Sequence, residues 1–150
     1  MRILLAVDGS EASEEAARQF SERPWPAASV VRVLSVVPSV YPAIPEATAL
    51  PDFARIVQEL TEGAEKHVQE VAESLRPSEF QVETRVRHGD PRLEVVEEAG
   101  EFGADIVVLG SNGRTGIQRW LLGSVAEYVV RHAPCSVEVA RARAPASAKI

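Results

Sequence analysis

Gly110-Ser111-Asn112-Gly113-Arg114-Thr115-Gly116-Ile117-Gln118-Arg119-Trp120-Leu121-Leu122-Gly123-Ser124 follows directly on Asp105-Ile106-Val107-Val108-Leu109 and leads into Val125-Ala126-Glu127-Tyr128-Val129-Val130-Arg131-His132. The run before it is short, apolar and β-branched, which suits a parallel strand covered on both faces. The run after it spaces its apolar residues for a helix packed on one side. The order is therefore strand, glycine-rich loop, helix.

Glycine suits such a loop for two reasons: it reaches positive φ without a Cβ penalty, and it lets another group come close to the backbone. Gly123-Ser124 stands where the helix begins, and the first amides of a helix have no partner within it. Those amides and the positive end of the helix dipole favour an anion. No acidic residue lies between Asp105 and Glu127, while Arg114 and Arg119 do, in a chain whose net charge is −6. The stretch reads as a phosphate cradle. The alternative is a tight turn whose glycines serve backbone geometry alone.

Two common nucleotide motifs are absent. The G-x-x-x-x-G-K-[S/T] loop needs a lysine, and this loop has none; the G-x-G-x-x-G dinucleotide pattern is missing, its usual place after the first strand being held by Asp8-Gly9-Ser10. The spacing Gly110-x2-Gly113-x9-Gly123-Ser124 instead resembles the G-x2-G-x9-G-[S/T] pattern of the ATP-binding branch of the universal stress protein family. The opening Ile3-Leu-Leu-Ala-Val-Asp-Gly-Ser10 and the closing Gly123 to Cys135 are similar to that family as well, so the resemblance runs from Met1 to about Arg141.

A chain of 150 residues is one domain by length, with 45% apolar and 25% charged residues as in ordinary globular proteins. The acidic balance argues against nucleic acid as partner, since a duplex binder needs a concentrated basic face. A single cysteine allows no internal disulfide, no apolar run approaches a membrane span, and Asp8 follows the apolar N-terminal run where a signal peptide needs a cleavage site. A cytoplasmic protein is expected, with residues 1–141 as the domain and residues 142–150 as a flexible tail.

Along the chain, Ile3 to Val7 reads as a central strand, and Ser10 or Ser13 as the cap of a helix that ends at Pro24 and Pro26. A second strand runs from about Ser29 to Val37. Pro38 to Pro51 holds four prolines and reads as a loop, either a lid over a ligand or a variable surface loop. Asp52 to Leu75 is the longest helical pattern, its stripe including Leu60 and Ala64, with His67 on or beside it as a packed histidine. Phe80 to Arg87 alternates apolar and polar residues as a half-exposed edge strand, and Asp90-Pro91 caps and starts the next helix. Cys135 to Ala140 is the fifth strand. The alternation of strands and helices gives a doubly wound parallel sheet with helices on both faces.

Asp8 lies at the carboxyl end of the first strand, where ligands bind in such sheets, or else serves as a turn carboxylate. The resemblance implies strand order 3-2-1-4-5, which would set Asp8 and Gly110 across one crevice. It also implies ATP along Gly110, Gly113, Gly123, Ser124 and Val125, with Asp8 and Val36 at the adenosine; the loop's own charge adds Arg114 as a cationic helper at the phosphates. Ala6 and Leu109 complete this set, and His88 and Gly89 stand at the same edge of the sheet. The cofactor implied is ATP, alone or with Mg²⁺. The fifth strand is implied to pair across a two-fold axis in a homodimer.

Neither a metal-ligand spacing nor a nucleophile with its base is evident, and Asn112, where many relatives carry histidine, does not titrate. Slow ATP hydrolysis at most is expected. A nucleotide-dependent regulator is the leading reading; a dimerisation module without nucleotide and a slow ATP hydrolase are the alternatives.

Overall fold

The computed structural model describes residues 1–39, 51–76, 79–113 and 121–141. Strands and helices alternate as β1 (Arg2–Ala6), α1 (Glu11–Ser21), β2 (Val30–Pro38), α2 (Pro51–Leu75), β3 (Gln81–Gly89), α3 (Pro91–Phe102), β4 (Ile106–Gly110), α4 (Ser124–His132) and β5 (Ser136–Ala140). The strands form one all-parallel sheet in the order β3-β2-β1-β4-β5. This is the order the resemblance implied.

The central strands are apolar on both faces because both faces are covered. Ile3 and Leu5 of β1 join Phe20 of α1 and Val68 and Leu75 of α2 in one core. Leu4, one residue out of phase, joins Val95 and Phe102 of α3 and Val129 of α4 in the other. Ile3, Leu4 and Leu5 are wholly buried, and each contributes roughly 1.5–3 kcal/mol of apolar transfer. Helices α1 and α2 thus lie on one side of the sheet, α3 and α4 on the other.

Helix ends follow their capping residues. The Ser10 hydroxyl accepts from the Ser13 amide at 3.2 Å, and the Asp90 carboxylate accepts from the Arg92 amide at 2.9 Å with Pro91 in the first turn. Strand β3 stands at a sheet edge and none of its residues is fully buried, but its burial does not alternate as the period-two pattern predicts: Gln81 and Arg85 are exposed, whereas Glu83 and Arg87 are half-buried because they pair with Arg32 and with the carboxylates of α3. It runs two residues past Arg87, because Val37 and Pro38 of β2 pair with His88 and Gly89. Neither His88 nor Gly89 carries a strand signal, so only the neighbouring strand extends it. Of the expected proline-rich loop, residues 40–50 lie outside the described residues, as does the expected tail, 142–150.

Candidate functional site

The site grows from the adjacency of β1 and β4. Past β1, the turn Asp8-Gly9-Ser10 reverses the chain with Gly9 at φ 76°, a left-handed conformation that glycine adopts without strain. The Asp8 amide donates to Ser13 Oγ at 3.0 Å, and Asp8 Oδ1 accepts from the Ser10 amide at 2.9 Å. Past β4, the Ser111 amide donates to Ala140 O at 2.8 Å, and the Gly123 amide donates back to Ser111 O at 2.7 Å, closing the base of the loop. The Ser10 hydroxyl donates to Asn112 O at 3.2 Å and ties the two turns together.

The described loop glycines answer to close approach rather than to positive φ. A Cβ on Gly110 would stand 2.6 Å from the Ala12 carbonyl carbon and 2.7 Å from the Ser13 nitrogen. The first turn of α1 therefore requires that glycine, whatever binds nearby. A Cβ on Gly123 would press on Ser111 O at 3.1 Å, and one on Gly113 would meet, among the described residues, only Asp8 Oδ2, at 3.1 Å. Gly113 is the loop glycine whose open side faces another functional candidate.

Helix α4 begins uncapped. Gly123 is its N-cap and offers no side-chain bond, and the first helical hydrogen bond runs from the Glu127 amide to Gly123 O at 2.9 Å. The amides of Ser124, Val125 and Ala126 have no hydrogen-bond partner among the described residues, and all three residues border a cavity of about 570 Å³.

That cavity gathers the residues singled out in the sequence. Ala6, Asp8, Leu109 and Gly110 border it at the β1–β4 junction; Gly113, Gly123, Ser124 and Val125 border it at the loop; Val36 borders it from β2. Arg114 lies outside the described residues. His88 and Gly89 do not reach the cavity, and the corresponding turn contributes Pro91 instead. His88 turns to Thr61, with Nε2 and Oγ1 2.9 Å apart.

Two features escaped the sequence. Leu60 and Ala64 of α2, with Pro91 and Val95 of α3, give the far end of the cavity an apolar lining. Leu60, Ala64 and Val95 sit within apolar stripes that periodicity assigns to the core, and nothing in periodicity says where a stripe overhangs the end of the sheet. The second feature is main-chain. Pairing of β1 with β2 ends at Ala6 and Leu34, the last rung being the Val7 amide to Leu34 O at 2.8 Å. Successive residues of a strand turn their peptide groups to alternate neighbours, so the N–H and C=O of Val36 point to the β1 side where β1 has already turned away. A donor and an acceptor from one residue thus face the cavity.

Among the described residues no group of three or more His, Cys, Asp or Glu side chains is gathered for a metal ion, and no helix is long and apolar enough to cross a membrane.

A doubly wound α/β protein with a ligand-sized cavity at the point where the strand order reverses is the class this fold and site define. Residues 1–141 match the model of the universal stress protein family, and the chain belongs to that family. It is 33% identical over 141 residues to the universal stress protein MJ0531 of Methanocaldococcus jannaschii, covering 93% of this chain and 81% of that one. The solved structure of protein MJ0577 superposes with a TM-score of 0.82 at 28% identity, over 96% of this chain and 97% of that one. A universal stress protein family protein of Arabidopsis thaliana, solved with AMP bound, shares the fold at 19% identity with a TM-score of 0.64, over 97% and 96% of the two chains.

Proposed function

We propose that this protein binds an adenine nucleotide, ATP, in the cavity at the β1–β4 junction and acts as a nucleotide-dependent regulator in the stress response. The observation that carries this is the pairing of two main-chain features across one cavity. Amides of Ser124, Val125 and Ala126 without a partner among the described residues stand at one end, and the N–H and C=O of Val36, likewise without one among them, stand among apolar walls at the other.

The phosphates are held at the first end, where main-chain donors and the helix dipole stabilise negative charge without a lysine. Gly113 leaves room for them, Gly110 and Gly123 let the loop pack closely on its neighbours, and Arg114 is proposed to add positive charge. The Asp8 carboxylate, beside Ala6 and Leu109, accepts from the ribose hydroxyls. At the second end the Val36 N–H donates to adenine N1 and its C=O accepts from the N6 amino group. Guanine presents the opposite polarity on that edge, so the site prefers adenine. The volume, about 570 Å³, lies within the range of small-molecule sites, roughly 300–1,000 Å³. That a more distant member of the same fold is solved with AMP is consistent with this reading.

Regulation is proposed in preference to fast catalysis. Phosphoryl transfer needs a positioned nucleophile or base and a cationic clamp. The loop residue Asn112 is spent on structure and carries no titratable group, so at most slow hydrolysis follows, with Mg²⁺ riding on the phosphates. The outer edge of β5, which pairs with no described strand, is proposed to pair with a second copy in a homodimer, in the cytoplasm.

The test is calorimetric titration of the folded protein with ATP and with GTP, beside chromatography of the supernatant after denaturing the purified protein. ATP should bind and GTP should bind at least about tenfold more weakly, the 1.4 kcal/mol or so of a mismatched hydrogen-bonded edge. Equal binding of both would remove the Val36 pairing. No binding of either would leave a folded module without nucleotide.

A further inference from the structure

One apolar wall of the cavity beside Val36 comes from α2. Helix α2 lies on one side of the sheet and α3 on the other, so Leu60 and Ala64 face Pro91 and Val95 across the end of β2. A flat group resting on Val36 enters a slot between two helices. Leu60 is 38% exposed and borders the cavity together with Ala64.

The upper part of α2 is tied to the sheet edge at this level. Thr61 Oγ1 lies 2.8 Å from Val57 O, one turn back, and 2.9 Å from His88 Nε2 at the end of β3. A hydroxyl has one proton, and the carbonyl can only accept, so the Thr61 proton goes to Val57 O. The histidine must then be the donor, through Nε2–H. Gln69, two turns further on, donates to Thr84 Oγ1 at 3.0 Å and fixes the lower part of α2 to the same strand.

Resting on the nucleotide reading above, we infer that residues 60–64 of α2 are the specificity wall of the cavity. Ala64 sets the width of the slot that admits the base, and the Thr61–His88 hydrogen bond is a positioning contact that holds the wall at that width. A small residue at 64 leaves room for a ring; a larger one fills the slot without touching the phosphate end. Thr61 and His88 act through α2 and do not meet the ligand.

The experiment uses the full chain and two probes, ATP and inorganic tripolyphosphate, because the wall lies at the base end only. Ala64→Leu should lower ATP affinity by about tenfold or more while tripolyphosphate binds as to the parent. Thr61→Val, which keeps the shape and removes the hydroxyl, should weaken ATP about two- to fivefold, and Thr61→Ser should restore it, again with no change for tripolyphosphate. Thermal melts confirm folding, and Thr61→Val carries the test if Ala64→Leu does not fold. If the parent binds ATP and these variants bind it equally well, or lose both probes together, the wall has no role in specificity. If the parent binds neither probe, the nucleotide reading itself falls, and this inference with it.

Discussion

Gly110 and Gly113 look alike in the sequence and differ in the fold. A methyl on Gly110 would overlap the main chain of Ala12 and Ser13, which cannot move without shifting α1 off the sheet. Gly110→Ala should therefore destabilise the protein by about 1–3 kcal/mol or more, seen as a lower midpoint in chemical denaturation. Among the described residues a methyl on Gly113 meets no main chain, only the end of one side chain, Asp8 Oδ2 at 3.1 Å. Gly113→Ala should melt close to the parent and bind ATP about tenfold to a hundredfold more weakly, as expected for crowding one hydrogen bond to a charged group. Equal stability of the two variants would contradict the geometry at Gly110. The motif spacing shows where glycines stand; only the neighbour across space shows which one serves the helix and which faces the site. Likewise Asp8 was legible as a candidate by its place at a strand end, whereas the two free main-chain groups of Val36 were not, because valine's side chain says nothing about where β1 stops.

Helix α3 is fastened to β2 and β3 by charge rather than by apolar contact alone. Glu98 is 1% exposed and accepts from Arg32 Nη1 at 2.7 Å and Arg87 Nη1 at 2.8 Å. Arg87 also meets Glu94 at 2.6 Å, Glu97 at 2.8 Å and Glu101 at 2.9 Å, while Arg32 meets Glu83 at 2.7 Å and stacks 4.1 Å over the Phe102 ring. Burial pushes the Glu98 carboxyl up, but the hydrogen bonds from Arg87 and Arg32 outweigh it and hold the group below its ordinary 4.5. A carboxyl lowered in the folded state contributes stability that is full above the unfolded value and is lost as pH falls through the folded one. Denaturation midpoints should thus fall as pH drops below 4.5. Glu98→Gln should be less stable by about 1–3 kcal/mol at neutral pH and show a flatter acid limb. An unchanged acid limb would mean that other carboxylates carry the pH dependence. The helix itself was legible from Asp90-Pro91 and its apolar spacing. The network was not, since Arg32, Arg87 and Glu98 come from three elements that the sequence keeps apart.

Across the whole molecule, the proposed ligand would touch β1, β2, the β4 loop and α4 at once, so it should raise the stability of all of them together. At a hundred times its dissociation constant it contributes about 2.7 kcal/mol, a rise in melting temperature of roughly 5–10 °C for a chain of this size. A scan with ATP that shows no such rise would count against binding to the folded state. The proposed dimer has its own test. The Ser111 amide bonds to Ala140 O, so Ser136, Glu138 and Ala140 turn their peptide groups to β4, while Val137 and Val139 turn theirs outward. Val137→Pro removes an outward donor and leaves the β4 ladder whole, and should yield a folded monomer by sedimentation; a persistent dimer would place the contact elsewhere. The sequence by itself determined the alternation of strands and helices, the burial of β1 and β4, the cap at Asp90 and the family of the chain, because periodicity, capping and spacing act between residues near one another along the chain. Between Ser10 and Ser13 as the cap of α1 the structure chose Ser10. Only the tertiary structure decided that Gly110 is required by α1, that β2 outruns β1 to bare Val36, and that Leu60 and Ala64 overhang the cavity. Each of those depends on where a segment far away in sequence ends in space, and no local pattern encodes that.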